Sequence, residues 1–439
     1  MRLFGRLLAL VLIGVIAVGA YGVWRIATSI PELDLPSALS ARKPDAAHGK
    51  VVAMLGDCAG CHTAPQGDDY AGGVAFALPV GTLYSSNITP DPDHGIGKYQ
   101  FDDFVRLMRF GVAPDGRRVY PAMPYTSYAK VSDEDLQDLF AYLRDQVAPV
   151  ARPTRPAEIS WPLTLRWPLA VWNLAYHKAE RFTPDRGQSD EWNRGAYLVE
   201  GLGHCGTCHT PRNFAFAERA LDPSSALYLS GSSFAGTSPI NLRGNDGDGL
   251  GRWSQADIAQ LLKSGRNPHS AASGPMDEVI AWSTQYWDDA DLLAVAAYLK
   301  SLSPAPGDGR ALFKPDETAL DSFRNGQAAQ SPGALIFLDS CSACHRLNGQ
   351  GALTAFPSLS GNPLVQSRDP SSLIEVILAG ARLPSTQAAP SSLAMPGFAW
   401  RYDDADVATL ATFVRSSWGN HAPVVTAGQV TDVRNRLAH

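Results

Sequence analysis

The chain has 439 residues, 45% of them apolar and 18% charged, with a formal net charge of -6. This length suits about three domains, and the acidic balance argues against a nucleic-acid partner. All six cysteines fall in three pairs of one spacing, which structural disulfides would not give.

At the N-terminus, Arg2 and Arg6 precede an almost wholly apolar run from Leu7 to Trp24, 18 residues long. That is just enough to span a bilayer. Val18-Gly19-Ala20 offers small residues suited to a peptidase, so a cleaved leader competes with a retained anchor. Tyr21, Trp24 and Arg25 suit an interfacial belt and favour retention. In both cases everything beyond residue 30 is expected outside the cytoplasm.

Three copies of Cys-x-x-Cys-His follow: Cys58/Cys61-His62, Cys205/Cys208-His209 and Cys341/Cys344-His345, which together use every cysteine. This is the attachment signature of c-type haem. Each thiol forms a thioether with a vinyl group, and the adjacent histidine binds the iron. Zinc sites built from two Cys-x-x-Cys pairs separate them by about 15–20 residues, far less than the spacing here. Three covalently bound haem c groups are expected. A unit of about 100 residues has little core of its own, so a buried porphyrin would supply much of the missing apolar surface.

The three motifs mark three repeats. Behind each lies an amphipathic stretch closed by glycine: Phe101–Gly111, Ile258–Gly265 and Leu373–Gly380. Apolar residues at three- and four-residue spacing with a terminal glycine predict helices. A second helix in each repeat opens at Ser132, Asp288 or Asp403 as N-cap. An acidic residue stands three positions later, at Asp135, Asp291 and Asp406, in imitation of a capping box. These helices carry Tyr142, Tyr298 and Phe413 at one offset. A shorter helix is expected before each motif. Strand-like alternation is nearly absent, which predicts three small all-α units. Residues 144–187, rich in Pro and Trp, and residues 303–331, rich in Pro, Gly and Asp, read as connections. Within the first, residues 161–172 concentrate Trp161, Trp167 and Trp172, which either pack two haem units together or dock a partner.

The second axial ligand follows from six methionines. Met1 starts the chain, Met54 precedes the first motif and Met108 falls inside a helix. The loop between the two helices of each repeat holds one more: Met123, Met276 and Met395, each beside proline. His/Met pairs are therefore expected: His62 with Met123, His209 with Met276, His345 with Met395. Thioether ligation closes the sixth position and raises the potential, as an electron carrier requires. His94 and His269 lie near these regions but have no counterparts in the other repeats. Pro65 and Pro211 are expected to leave a carbonyl facing the imidazole N–H. Asn87 and Asn241 at matching positions serve either haem propionates or a turn.

The runs Gly56-Asp-Cys-Ala-Gly-Cys-His-Thr, Tyr84-Ser-Ser-Asn-Ile-Thr-Pro-Asp, Tyr120-Pro-Ala-Met-Pro-Tyr and the stretch from Trp192 through His209 to Arg212 resemble the triheme cytochrome c subunits of bacterial membrane-bound dehydrogenases. The resemblance covers roughly residues 45 to 420. It implies tandem class I cytochrome c-like domains at residues 40–147, 188–302 and 332–420. Before them lies the N-terminal anchor or signal segment, 1–30; between them lie linkers 148–187 and 303–331; and a tail, 421–439, ends the chain. It also implies a catalytic partner subunit of quinoprotein, flavoprotein or molybdenum type, on the periplasmic side of the inner membrane. Electrons would pass from that subunit to ubiquinone or a downstream cytochrome or oxidase. A free-standing shuttle, or a haem enzyme such as a peroxidase, are the competing readings. No catalytic residues are expected on this chain.

Overall fold

The computed structural model describes residues 19–438 apart from positions 20, 23, 79, 234–235, 307–311 and 353–354. The apolar N-terminal run falls almost wholly outside the described residues, and so does the choice between anchor and leader. Among the described residues no helix is long and apolar enough to cross a membrane. The chain forms two compact units, one of Met1–Lys50 with His62–Phe182, the other of Val51–Cys61 with Thr183–His439.

One helix crossing recurs in all three repeats. Helix Ala46–Leu55 carries Gly49, helix Asp190–Tyr197 carries Gly195 and helix Pro332–Ser340 carries Gly333. Each glycine lies directly on the backbone of the long helix that ends its repeat: Asp133–Asp145, Asp289–Ser301 or Asp404–Ser416. A Cβ at Gly49 would strike the Asp138 carbonyl and Tyr142, one at Gly195 the Ala294 carbonyl and Tyr298, and one at Gly333 the Thr409 carbonyl and Phe413. The aromatics that share an offset in the sequence are thus the residues that receive the glycine.

The long helices start as their sequences direct. Ser132, Asp288 and Asp403 accept hydrogen bonds from the backbone N–H of Asp135, Asp291 and Asp406. The acidic side chains at N3 of the first two reach the crossing helix. Asp135 pairs with His48 at 2.9 Å and Asp291 with Arg194 at 2.7 Å. True capping boxes occur one helix earlier, at Gln100/Asp103 before Phe101–Phe110 and at Ser254/Asp257 before Gln255–Ser264. Those helices end on left-handed Gly111 (φ 64°) and Gly265 (φ 78°).

Two findings differ from the sequence-based expectations. First, the fold is mainly helical but not purely so. Ala75–Leu78 pairs antiparallel with Gly81–Tyr84, and Ala381–Arg382 with Ala394–Met395. Strands of four and two residues are too short for alternation to reveal. Second, the Pro/Trp-rich stretch after residue 147 is built onto the first unit. Glu158–Ile159 adds a strand to Gly81–Tyr84. Asn173, in helix Pro168–Tyr176, accepts from the Tyr125 hydroxyl at 2.7 Å and donates to the Phe110 carbonyl at 3.0 Å. His177 bonds the Arg109 carbonyl at 2.7 Å. These attachments run through backbone carbonyls and ring edges, which leave no periodic pattern. Trp172 packs edge-on against Tyr125, while Trp161 is 78% and Trp167 48% exposed.

The crossing can be checked directly. Gly333→Val should destabilise the chain by about 1–3 kcal/mol through overpacking. Gly428→Ala, in helix Ala427–Leu437 where a Cβ meets nothing closer than 3.9 Å, should be neutral or stabilising by up to about 1 kcal/mol. Denaturant unfolding of both variants measures the contrast.

Candidate haem sites

Each motif lies on a short helical turn: Cys58–His62, Gly206–His209 and Ser342–His345. On a helix, residues three apart share a face, so the two thiols of each pair project to one side. The glycine-bearing helix leads straight into the turn. In the first two repeats the entry is made by a left-handed residue, Asp57 (φ 50°) or His204 (φ 37°). Before His204 the helix continues as a wider π-type turn, Leu198–Leu202.

No disulfide joins any of the six cysteines. Burial pushes the thiols of Cys58, Cys205 and Cys341 up to about 12 and raises Cys61 and Cys208 as well. Among the described residues no cluster of His, Cys, Asp and Glu could hold a metal ion by itself.

The three motif histidines share one geometry. Nδ1 of His62 lies 2.6 Å from the Ser86 carbonyl, that of His209 2.8 Å from the Ile240 carbonyl, and that of His345 3.0 Å from the Pro357 carbonyl. A carbonyl only accepts, so Nδ1 carries the proton and Nε2 keeps its lone pair. Burial lowers the pKa of all three and favours this neutral imidazole. The orienting carbonyls are not those that Pro65 and Pro211 were expected to supply; the Pro211 carbonyl accepts from the backbone N–H of Arg219.

The readable signal for two of these carbonyls was the asparagine that follows each. Asn87 accepts from the N–H and hydroxyl of Thr89 and donates to the carbonyls of Val150 and Arg152. Asn241 accepts from the N–H of Arg243. Both therefore fix a turn that presents the preceding carbonyl to the histidine. The third repeat reaches the same result through Pro357, with no asparagine to flag it.

The third site gathers its whole donor set. Cys341, Cys344, His345 and Met395 line one cavity, whose walls are mostly apolar and include Phe337, Leu373, Ile377 and Val414. Two thiols, an imidazole and a thioether thus share one apolar cavity, a donor set whose chemistry fits a covalently attached haem. Loop residues Ser270–Ser273, from the second repeat, also line it.

The methionines occupy different local structures. Met123 stands in an irregular turn before helix Tyr125–Tyr128. Met276 is in the first turn of helix Pro275–Trp282, and Met395 is in the short strand Ala394–Met395. Met276 and Met395 thus depart from the loop expected of them. All three are half-buried, whereas Met108 is 4% exposed in the core. Of the other histidines, His94 is exposed. His269 stacks on Trp253 at 5.5 Å and bonds Asp257 at 3.3 Å, which commits its ring to packing. A buried pair the sequence did not suggest, Glu200 accepting from the Tyr298 hydroxyl at 2.6 Å, ties the helix of the second motif to its crossing partner.

The profile of the Cytochrome c family matches residues 46–146 and 330–418. Over 409 residues the chain is 46% identical to the alcohol dehydrogenase (quinone) cytochrome c subunit of Gluconacetobacter polyoxogenes, covering 90% of this chain and 86% of that one. It is 45% identical to the gluconate 2-dehydrogenase cytochrome c subunit of Pantoea cypripedii, covering 88% of each. It is 35% identical to the fructose dehydrogenase cytochrome subunit of Gluconobacter japonicus, covering 91% of this chain and 84% of that one.

The absence of disulfides has a simple check. Chain produced without haem attachment and denatured without reductant should titrate six thiols; a count of four or fewer would place a disulfide in at least one motif.

Proposed function

Because the chain belongs to the family of cytochrome c subunits of alcohol, gluconate and fructose dehydrogenases, we propose that it is the triheme electron conduit of such a complex. It would accept electrons from a catalytic dehydrogenase subunit of quinoprotein, flavoprotein or molybdenum type. It would pass them to ubiquinone or a downstream cytochrome or oxidase, on the periplasmic side of the inner membrane. It transfers electrons and leaves substrate chemistry to the catalytic subunit.

The observation that carries this reading is the third cavity, which holds His345 and Met395 together with the thiols of Cys341 and Cys344. When bound, haem supplies a one-electron ferric/ferrous couple. The protein's residues do the rest. The cysteines of each motif hold the ring by thioether bonds. The Ser86, Ile240 and Pro357 carbonyls hold the Nδ1 protons of His62, His209 and His345, which would leave Nε2 free to bind the iron. Met123, Met276 and Met395 would supply the second protein ligand. The apolar walls of the third cavity would exclude water, which favours the less charged ferrous form and raises the potential. A peroxidase needs the sixth position open, so the methionines oppose it. A free shuttle is opposed by relatives that are named as dehydrogenase subunits over most of their length.

The ligand set is tested on the whole chain. A pyridine haemochrome assay should give three haems that survive acid–acetone extraction. Met123→Leu, Met276→Leu and Met395→Leu should each remove about one third of the sulfur-to-iron charge-transfer band and lower one potential. A variant that leaves band and potential unchanged strikes that methionine from the ligand set.

The catalytic subunit also has a candidate landing place. Trp161, Trp167 and Leu174 are 78%, 48% and 69% exposed on the stretch that wraps the first unit, and aromatic anchors of this kind concentrate binding energy. Trp161→Ser with Trp167→Ser should lower co-purification of the dehydrogenase subunit at least tenfold while leaving melting temperature and haem spectra in place. Retained association with a lowered melting temperature would assign these tryptophans to packing. Retained association with lost binding to phospholipid vesicles would assign them to a lipid surface.

A further inference from the structure

The cavity of the third site is not closed by the third repeat alone. Ser270, Ala271, Ala272 and Ser273 form part of its wall, and they belong to the second repeat. We propose that this loop is a positioning element for the third haem: it keeps water from that ring and so holds its potential up, making the third potential a property of the second and third repeats together. This rests on the ligation reading given above.

The loop is built to be stiff. Asn267, 2% exposed, accepts from the backbone N–H of His269 and Ser270 and donates to the Asp257 carbonyl at 2.8 Å. The Asn267 backbone N–H donates to the Ser270 carbonyl, and that of Ala272 to the Gly265 carbonyl at 2.8 Å. Ser270 and Ala272 are 7% and 6% exposed. The third repeat grips the same region. Asn362, itself a cavity residue, donates to the His269 carbonyl at 3.3 Å, and Pro384 lies where a Cβ on Gly265 would stand. Farther along the contact, the Gln387 N–H donates to the Gln285 side chain at 3.1 Å, and Ser238 and Ser372 exchange hydrogen bonds at 2.8 and 3.1 Å.

Small apolar side chains at 271 and 272 let the backbone approach the cavity and bring no polar group that would draw in water. A carboxylate there favours the ferric state, which carries the extra positive charge, and any water it admits does the same. Both effects lower the potential. The segment also carries Met276 only four residues beyond Ala272, so an effect on the second haem must be separated from one on the third.

The test is a spectroelectrochemical titration of the full chain. Ala272→Asp should move one of three one-electron waves to lower potential and leave two in place. Ser273→Asp, at a half-buried and more tolerant position, should move the same wave less, and it decides the matter if Ala272→Asp fails to load haem. In a Cys341→Ala/Cys344→Ala background, which lacks the third haem, neither substitution should move the two remaining waves. A shift that persists in that background, or no shift in any wave, overturns the proposal. Failure of the ligation reading is seen separately, as a wild-type charge-transfer band and third wave untouched by Met395→Leu.

Discussion

The structure depends on three places where a glycine lets two helices touch backbone to backbone. Gly49, Gly195 and Gly333 each leave room for one carbonyl and the stem of one aromatic residue. That contact fixes the helix leading into each Cys-x-x-Cys-His turn against the helix that ends the repeat. The two cysteines, the histidine just beyond them and, in the third repeat, the cavity wall from Leu410 and Val414 are then positioned relative to this crossing. In the third repeat the aromatic receiver also joins a ring cluster of Phe323, Phe337, Phe413 and Trp418. There the crossing and the cavity wall are one piece of packing.

The histidine is controlled by a single backbone carbonyl in each repeat. The carbonyl settles the tautomer, and burial settles the charge, so a neutral imidazole with Nε2 available is built in before any ligand arrives. Three different residues supply that carbonyl: Ser86, Ile240 and Pro357. The common element is position, not side chain, because only a main-chain oxygen is required. The same economy explains why side chains around these loops vary between repeats without disturbing the donor geometry.

Much of this was legible in the sequence. The motif spacing, the N-caps at Ser132, Asp288 and Asp403, the glycine stops at Gly111 and Gly265 and the recurring aromatic were readable because helix periodicity and capping are local rules. What escaped reading depends on long-range contact. The orienting carbonyls are contributed from 12 to 31 residues away, and no residue type marks a carbonyl. The strand Glu158–Ile159 is only two residues long and acquires its conformation from its neighbour. The role of Ser270–Ser273 could not be read from the second repeat because the cavity it lines belongs to the third. Met276 was read as a loop residue since Gly274-Pro275 ordinarily interrupts a helix; proline at N1 instead begins one here.

Under the proposed function, each of three irons would be held between a histidine and a methionine. Low-temperature electron paramagnetic resonance of the fully oxidised, full-length chain tests it most directly, because spin state reports the sixth ligand without any substitution. Low-spin ferric signals integrating to three spins per chain, with no high-spin signal, are expected. A high-spin component integrating to one spin per chain, or a total near two low-spin centres, would contradict it.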